Sequence, residues 1–173
     1  VFGCPKNRNI PDSWSKFRAY EHAMLQFSKL ADRAWSVGSV IAIEPNPKAY
    51  GTNFLNSMAE VIEFVDLVDH PAVLINLDLG AMLMNDEILL LDEILEKHIK
   101  KISHIHVSLP QLVSVKSALG LDNFGQTIIQ IQKYNPACFA SIEMRAEPDN
   151  PIEAIHTACH FLKNLLNGNA ESR

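Results

Sequence analysis

The segment Ile41-Ala-Ile-Glu-Pro-Asn-Pro47 decides the fold prediction. It predicts a buried β-strand that ends in the carboxylate of Glu44, and the two prolines stop the strand because proline has no N–H to donate to a neighbouring strand. An ionised carboxylate is costly to bury alone, since it either shifts its pKa or pairs with a cation. The predicted burial of the Glu44 carboxylate therefore requires a partner from another part of the chain or a bound cation.

Three later segments follow the same design, in which an apolar strand carries a polar side chain at its carboxyl end. The three polar residues are Asp78, His106 and Glu143. They follow Glu44 and one another at intervals of 34, 28 and 37 residues, each of which is the length of one strand-helix unit. The sequence thus predicts four polar side chains, each at the carboxyl end of its own strand.

Helical patterns separate these strands. Apolar residues at three- and four-residue spacing recur in each gap, and Asn85 and Asp86 are the predicted start of the third helix. The predicted elements alternate between strands and helices along the chain. The first is a strand at residues 1–3, and the last is a helix with Asn150 as its N-cap. This alternation is typical of a parallel sheet. The regular spacing favours a (β/α)8 TIM barrel over a Rossmann sheet, because no glycine-rich phosphate fingerprint follows any strand.

The alternation of side chains along each strand agrees with this prediction, because residues two apart share a face. The residues that share a face are Ala42 with Glu44, Asn76 with Asp78, His104 with His106, and Ser141 with Glu143. The opposite face of each strand is apolar and is expected to pack against helices. All four polar residues therefore fall on the small or polar face of their strand.

Composition and charge narrow the class of protein. The chain has 173 residues, 47% of them hydrophobic, which suits one domain with a substantial core. A net charge of −5 and a pI near 5.8 argue against a nucleic-acid partner, which requires a basic face. The three cysteines lack the spacing of a disulfide framework or a zinc knuckle. No apolar run has the length of a membrane span and no signal peptide is present, so the cytoplasm is the default location.

Two glutamates, one aspartate and one histidine form an oxygen-rich ligand set with a single imidazole. Such a set suits one divalent ion of Mn, Mg, Co or Zn. For any one of these residues, a solvated or salt-bridged side chain at the end of a strand is the alternative. The occurrence of all four in one register favours the metal site.

Several motifs resemble the xylose-isomerase-like TIM-barrel superfamily, which includes sugar-phosphate isomerases and epimerases, ketose 3-epimerases and endonuclease IV. The motifs are Gly3-Cys-Pro-Lys-Asn-Arg8, Ile43-Glu-Pro-Asn46, Tyr50-Gly-Thr52, Leu77-Asp-Leu-Gly80, His104-Ile-His106 and Ile142-Glu-Met144. They resemble the ends of the family's fourth to eighth strands. The resemblance therefore implies one domain over residues 1–173 that contains the C-terminal five βα units of a barrel. The start at Val1, without an initiator Met, agrees with a partial barrel.

The resemblance also implies a function. Glu44, Asp78, His106 and Glu143 are then the metal ligands, and Glu44 and Glu143 are also the acid/base pair that moves a proton next to a carbonyl. The implied substrate is a small sugar or sugar phosphate, with Arg8, Asn46, His104 and Arg145 as candidate substrate-binding residues. A homo-oligomer is an open possibility.

Two departures from the family pattern leave alternatives open. Ala81 stands where relatives often have a histidine, and the segment around Leu109 lacks a glutamate that many relatives have. One alternative is a catalytically degenerate barrel that binds a small carbohydrate-like ligand. The other is an endonuclease IV-like DNA-repair enzyme, although Ala81 and the acidic pI count against it.

Overall fold

The computed structural model describes residues 8–115, 122–146 and 149–167. Four strands lie in these ranges: β1 (Ile41–Ile43), β2 (Val73–Asp78), β3 (Ile102–Ser108) and β4 (Phe139–Glu143). They form one sheet in the order β1-β2-β3-β4, and the pairings of β1 with β2 and of β3 with β4 are parallel. The predicted α/β fold with a parallel sheet is therefore confirmed. The opening strand predicted at residues 1–3 lies outside the described residues.

Helices connect the strands throughout the described ranges. The α-helices are α1 (Lys16–Ser36), α2 (Met58–Val68), α3 (Leu79–Met84), α4 (Leu91–His98), α5 (Asp122–Tyr134) and α6 (Pro151–Asn167). Short 3-10 helices lie at Lys48–Tyr50, Ile88–Leu90, Ile99–Lys101 and Pro110–Leu112. None of the helices in the described ranges combines the length and the apolar character needed to cross a bilayer.

The chain divides into two compact units, Val1–Leu77 and Asp78–Arg173, and the division falls inside β2. The prediction of a single domain over residues 1–173 stays a prediction.

The first unit is built around an aromatic cluster on α1 and α2. Phe64 is completely buried, and its ring makes edge-to-face contacts with Tyr20, Phe27 and Phe54 at centroid distances of 5.8, 5.3 and 6.0 Å. Such contacts add to the stabilisation from apolar burial. The cluster therefore fixes α2 against α1 and, through the loop that carries Phe54, holds the segment that follows β1.

Local capping explains where α2 begins. The Ser57 hydroxyl accepts a hydrogen bond from the backbone N–H of Glu60 at 3.2 Å, and the Glu60 carboxylate accepts one from the N–H of Asn56 at 2.6 Å. This reciprocal arrangement satisfies N–H groups that the first helical turn leaves unpaired. The other Glu60 oxygen receives Lys16 Nζ at 2.8 Å and so links the starts of α1 and α2.

The second unit packs α5 and α6 together, and α6 also contacts β4. Ile105 and Val107 of β3 are completely buried, as the predicted apolar face requires. The last helix begins as predicted, with the Asn150 side chain accepting from the N–H of Glu153 at 3.3 Å and Pro151 at the first helical position. Phe139 of β4, in contrast, is 72% exposed.

The aromatic cluster predicts a sharp difference between two phenylalanines. Phe64→Ala is expected to lower the free energy of unfolding by about 3–5 kcal/mol, because it leaves a cavity among three rings. Phe17→Ala, on the exposed side of α1, is expected to cost less than about 0.5 kcal/mol. Urea unfolding followed by circular dichroism measures both, and equal effects of the two substitutions would contradict the assignment of the core.

Candidate metal centre

The second unit brings three of the predicted ligands together. Asp78 is the last residue of β2, Glu143 is the last residue of β4, and His106 lies two residues before the end of β3. The Nδ1 atom of His106 is 3.1 Å from Glu143 Oε2 and 3.6 Å from Asp78 Oδ2. One ligand atom from each of the three residues lies within 4.8 Å of the other two. The prediction that His106 ends its strand is wrong, since β3 continues through Val107 and Ser108.

The two carboxylate oxygens of Asp78 have different partners. Oδ1 accepts the backbone N–H of Ala81 at 2.8 Å, which makes Asp78 the N-cap of α3, and it also accepts the Ser108 hydroxyl at 2.7 Å. Burial by itself raises the pKa of Asp78, but the bonds from His106, Ala81 and Ser108 outweigh it, so the pKa lies below its ordinary value. Asp78 is therefore ionised at neutral pH, and Oδ2 is the oxygen directed at His106.

The fourth predicted ligand lies in the first unit. Glu44 follows directly after β1, so it flanks the strand rather than ending it. The side chain is buried, and Asn76 donates a hydrogen bond from Nδ2 to Glu44 Oε2 at 2.7 Å. The backbone carbonyl of Glu44 accepts a second bond, from Arg8 Nη2, at 2.8 Å. Asn76 thus orients one Glu44 oxygen, and Arg8 fixes its main chain.

Asn46 and Arg145, two further predicted substrate-binding residues, differ in their exposure to solvent. Asn46 is buried just after β1, where its backbone N–H donates to the Leu55 carbonyl and its carbonyl accepts from the Asn56 side chain. Arg145 is exposed two residues after Glu143. Asn46 therefore holds the loop that follows β1, whereas Arg145 is free to reach solvent-borne groups.

His104 lies one step deeper than His106 on the same face of β3. Its Nε2 is 2.9 Å from the Ser141 hydroxyl, and its ring meets that of His106 edge to face at a centroid distance of 5.1 Å. Burial, together with nearby His106, lowers the pKa of His104. A neutral imidazole that supports His106 from below is consistent with this position.

Sequence reasoning gave no role to Ser108. Its hydroxyl donates to Asp78 Oδ1 and accepts the backbone N–H of Gly80 at 2.9 Å, so it joins β3 to the first turn of α3. The available signal was the two-residue period of β3, which places Ser108 on the same face as His106. Gly80 is required beside it, because a Cβ there would lie 2.5 Å from Ser108 Oγ and 3.0 Å from the Leu109 backbone.

The donor atoms fit a divalent ion. Within the second unit, Asp78, His106 and Glu143 are a group that could hold a metal ion. Carboxylate oxygens with one imidazole suit Mn, Mg, Co or Zn, and buried carboxylates are best offset by a cation.

Comparison with known proteins places the chain. Residues 3–165 match the family model of the xylose isomerase-like TIM barrel. The crystal structure of 3-keto-D-glucoside 4-epimerase from E. coli is 18% identical with a TM-score of 0.74, over 89% of this chain and 57% of that one. D-psicose 3-epimerase from Clostridium cellulolyticum, solved with D-tagatose, is 15% identical with a TM-score of 0.73, over 90% of this chain and 59% of that one. A search of curated proteins gives no match.

The protein is therefore an α/β chain of the TIM-barrel class. It belongs to the xylose isomerase-like TIM-barrel family, and the resemblance seen in its motifs is confirmed. At this level of identity the two epimerase structures establish the fold. The chain spans less than three fifths of the length of either epimerase chain.

The contact between Gly80 and Ser108 generates a double-mutant prediction. Gly80→Ala is expected to destabilise the protein by about 1–3 kcal/mol, because the new methyl group displaces Ser108 and presses on the Leu109 backbone. In a Ser108→Ala background the same substitution is expected to cost less, since the Oγ atom is gone. Urea unfolding of the four proteins measures the coupling, and additive effects would rule out the close approach.

Proposed function

We propose that this chain is part of a metal-dependent sugar or sugar-phosphate isomerase or epimerase, which acts by proton transfer next to a carbonyl. The observation that carries the proposal is the cluster of Asp78 and Glu143, the last residues of β2 and β4, with His106, which lies two residues before the end of β3. In TIM barrels this edge of the sheet holds the active site. Membership of the xylose isomerase-like family supports the same assignment.

In the proposed site Asp78, His106 and Glu143 hold one divalent ion and Glu44 supplies the fourth ligand. Glu44 follows directly after β1, and its carboxylate is buried and already oriented by Asn76. Outer hydrogen bonds of this kind set the direction and basicity of metal ligands. Ser108 and the Ala81 N–H do the same for Asp78.

The proposed chemistry divides between the ion and the two glutamates. A bound divalent ion acts as a Lewis acid that polarises a sugar carbonyl. One glutamate accepts the proton from the neighbouring carbon, and the other delivers a second proton to the opposite face, which inverts that carbon. The Glu143 side chain is 38% exposed, so a substrate can reach it, whereas Glu44 is buried and reaches a substrate only from within the site.

The substrate class is proposed from chemistry and from the two neighbours. One neighbour is named for a keto-glucoside and the other for psicose, with tagatose bound, and all three are sugars that carry a carbonyl. Here His104 and Asn46 are assigned to the wall of the site, and exposed Arg145 is assigned to an outer hydroxyl or anionic group of the sugar.

A barrel that binds a sugar without turning it over is the second candidate, and one observation favours it. Ala81 and Leu109, at the positions where relatives often carry polar groups, are both buried and apolar. Ala81 contributes only its backbone N–H, to Asp78. Fewer polar side chains are then available to orient a substrate for proton transfer.

The ligand assignment predicts the pattern of metal loss. Wild type is expected to bind one Mn²⁺ or Co²⁺ per chain in isothermal titration calorimetry, and Asp78→Asn, His106→Gln and Glu44→Gln are each expected to weaken binding at least tenfold. Glu96→Gln, an exposed substitution on α4, serves as the control and is expected to change nothing. Unchanged affinity in Glu44→Gln would remove that residue from the set, and unchanged affinity in all three would end the proposal.

The acid/base assignment predicts a separate effect of Glu143. Wild type loaded with Mn²⁺ is expected to exchange the proton next to the carbonyl of a ketose such as D-fructose with solvent deuterium, as seen by NMR. Glu143→Gln is expected to slow exchange by roughly 10²–10⁴-fold, because the amide cannot accept the proton. If wild type binds metal and ketose but exchanges no deuterium, the second candidate, a binding protein, is correct.

A further inference from the structure

The two oxygens of the Asp78 carboxylate differ in their capacity to accept a cation. Oδ1 accepts the Ser108 hydroxyl at 2.7 Å and the backbone N–H of Ala81 at 2.8 Å. An ionised carboxylate offers about four lone-pair positions, two on each oxygen, so these donors use both positions on Oδ1. Oδ2, in contrast, is directed at the predicted metal centre, 3.6 Å from His106 Nδ1.

The hydroxyl of Ser108 is fixed in the direction of its hydrogen bond to Asp78. Its oxygen accepts the backbone N–H of Gly80 at 2.9 Å, and its single proton is donated to Asp78. Ser108 is completely buried, so bulk water does not compete for either bond. A Cβ at position 80 would lie 2.5 Å from Ser108 Oγ, and glycine therefore permits this approach. The closure of Asp78 Oδ1 is thus part of the packing between β3 and the first turn of α3.

The number of Asp78 oxygens that can reach an ion bears on which ion fits. Ca²⁺ takes about six to eight oxygen ligands and is often bound by both oxygens of one carboxylate. Mg²⁺ requires near-ideal octahedral geometry, and carboxylate ligands suit Mn²⁺ as well. A carboxylate with one closed oxygen supplies a single ligand, which costs Ca²⁺ a ligand and leaves a small octahedral ion unaffected.

We infer that Ser108 is a specificity-determining residue of the proposed metal centre, which closes Asp78 Oδ1 to the ion and so favours Mn²⁺ and Mg²⁺ over Ca²⁺. The inference rests on the proposed function, since it requires an ion beside Asp78. Ser108 acts through Asp78 and is therefore a positioning residue. The imidazole of His106 also disfavours Ca²⁺, which prefers oxygen ligands, and the effect of Ser108 adds to that preference.

The ratio of the affinities for Mn²⁺ and Ca²⁺ tests the inference, with isothermal titration calorimetry of the metal-free protein as the measurement. Ser108→Ala opens one position on Asp78 Oδ1, while the Ala81 N–H still holds the other. The ratio is expected to fall roughly tenfold or more, because the partners of metal ligands shift metal affinity by about 10–100-fold. A loss of stability or a change in the basicity of Asp78 alters both affinities in the same direction, so the ratio isolates the number of oxygens that bind.

Ser103→Ala is the matched control on the same strand. Ser103 lies on the opposite face of β3, and its Oγ is buried without a hydrogen-bond partner among the described residues. This substitution is expected to leave the ratio unchanged. Intact Mn²⁺ binding with the same ratio in Ser108→Ala, or an equal fall in Ser103→Ala, would overturn the role of Ser108 alone. Wild type that binds neither ion would overturn the proposed function as well.

The wild-type protein provides a second test, which decides the question if Ser108→Ala does not fold. Crystals soaked in Mn²⁺ are expected to show Asp78 bonded to the ion through Oδ2 alone, with the Ser108 hydroxyl and the Ala81 N–H still on Oδ1. Bonds from both oxygens of Asp78 to the ion would overturn the inference. The absence of any ion beside Asp78 would overturn it together with the proposed function.

Discussion

The contact on which the site depends is that of His106 with two carboxylates. Nδ1 lies 3.1 Å from Glu143 and 3.6 Å from Asp78, and Asp78 is buried and ionised. Acidic groups brought this close repel each other unless a cation offsets them, and their burial strengthens the repulsion. The hydrogen bonds from Ser108 and Ala81 use one Asp78 oxygen and leave the other directed at the site. The local structure thus holds the carboxylates where a divalent ion would relieve the repulsion.

Much of the fold and of the site could be predicted because the side chains of strands and helices repeat at regular spacings along the sequence. The two-residue period of the strands placed Asn76 on the same face as Asp78, and parallel pairing of β1 with β2 explains its bond to Glu44. The helix predicted to start at Asn85 and Asp86 corresponds to the 3-10 turn Ile88–Leu90 and to α4, whereas α3, which begins directly after Asp78, was not predicted. The short apolar segment Leu79–Met84 gives no periodic signal, and its cap is the predicted ligand itself.

Long-range contacts account for what sequence reasoning missed. The need for glycine at position 80 arises from the approach of Ser108 and Leu109, and the role of Arg8 arises from its bond to the Glu44 carbonyl 36 residues away. The loop after β3 is a further case. Gln111 and Leu112 both have left-handed backbone conformations, with φ of 59° and 57°, and the Leu112 carbonyl accepts the N–H of Arg145 at 2.8 Å. Strained residues of this kind persist where the surrounding structure holds them, often beside functional sites.

The central proposal is that Glu44, Asp78, His106 and Glu143 hold one divalent ion. Anomalous diffraction from crystals soaked in Mn²⁺ tests it most directly, because it locates the ion without reference to activity. The account predicts a single strong peak within about 2.0–2.3 Å of an oxygen or nitrogen of each of these four residues. A peak that excludes His106 or either glutamate, or no peak at the carboxyl ends of the strands, would contradict it.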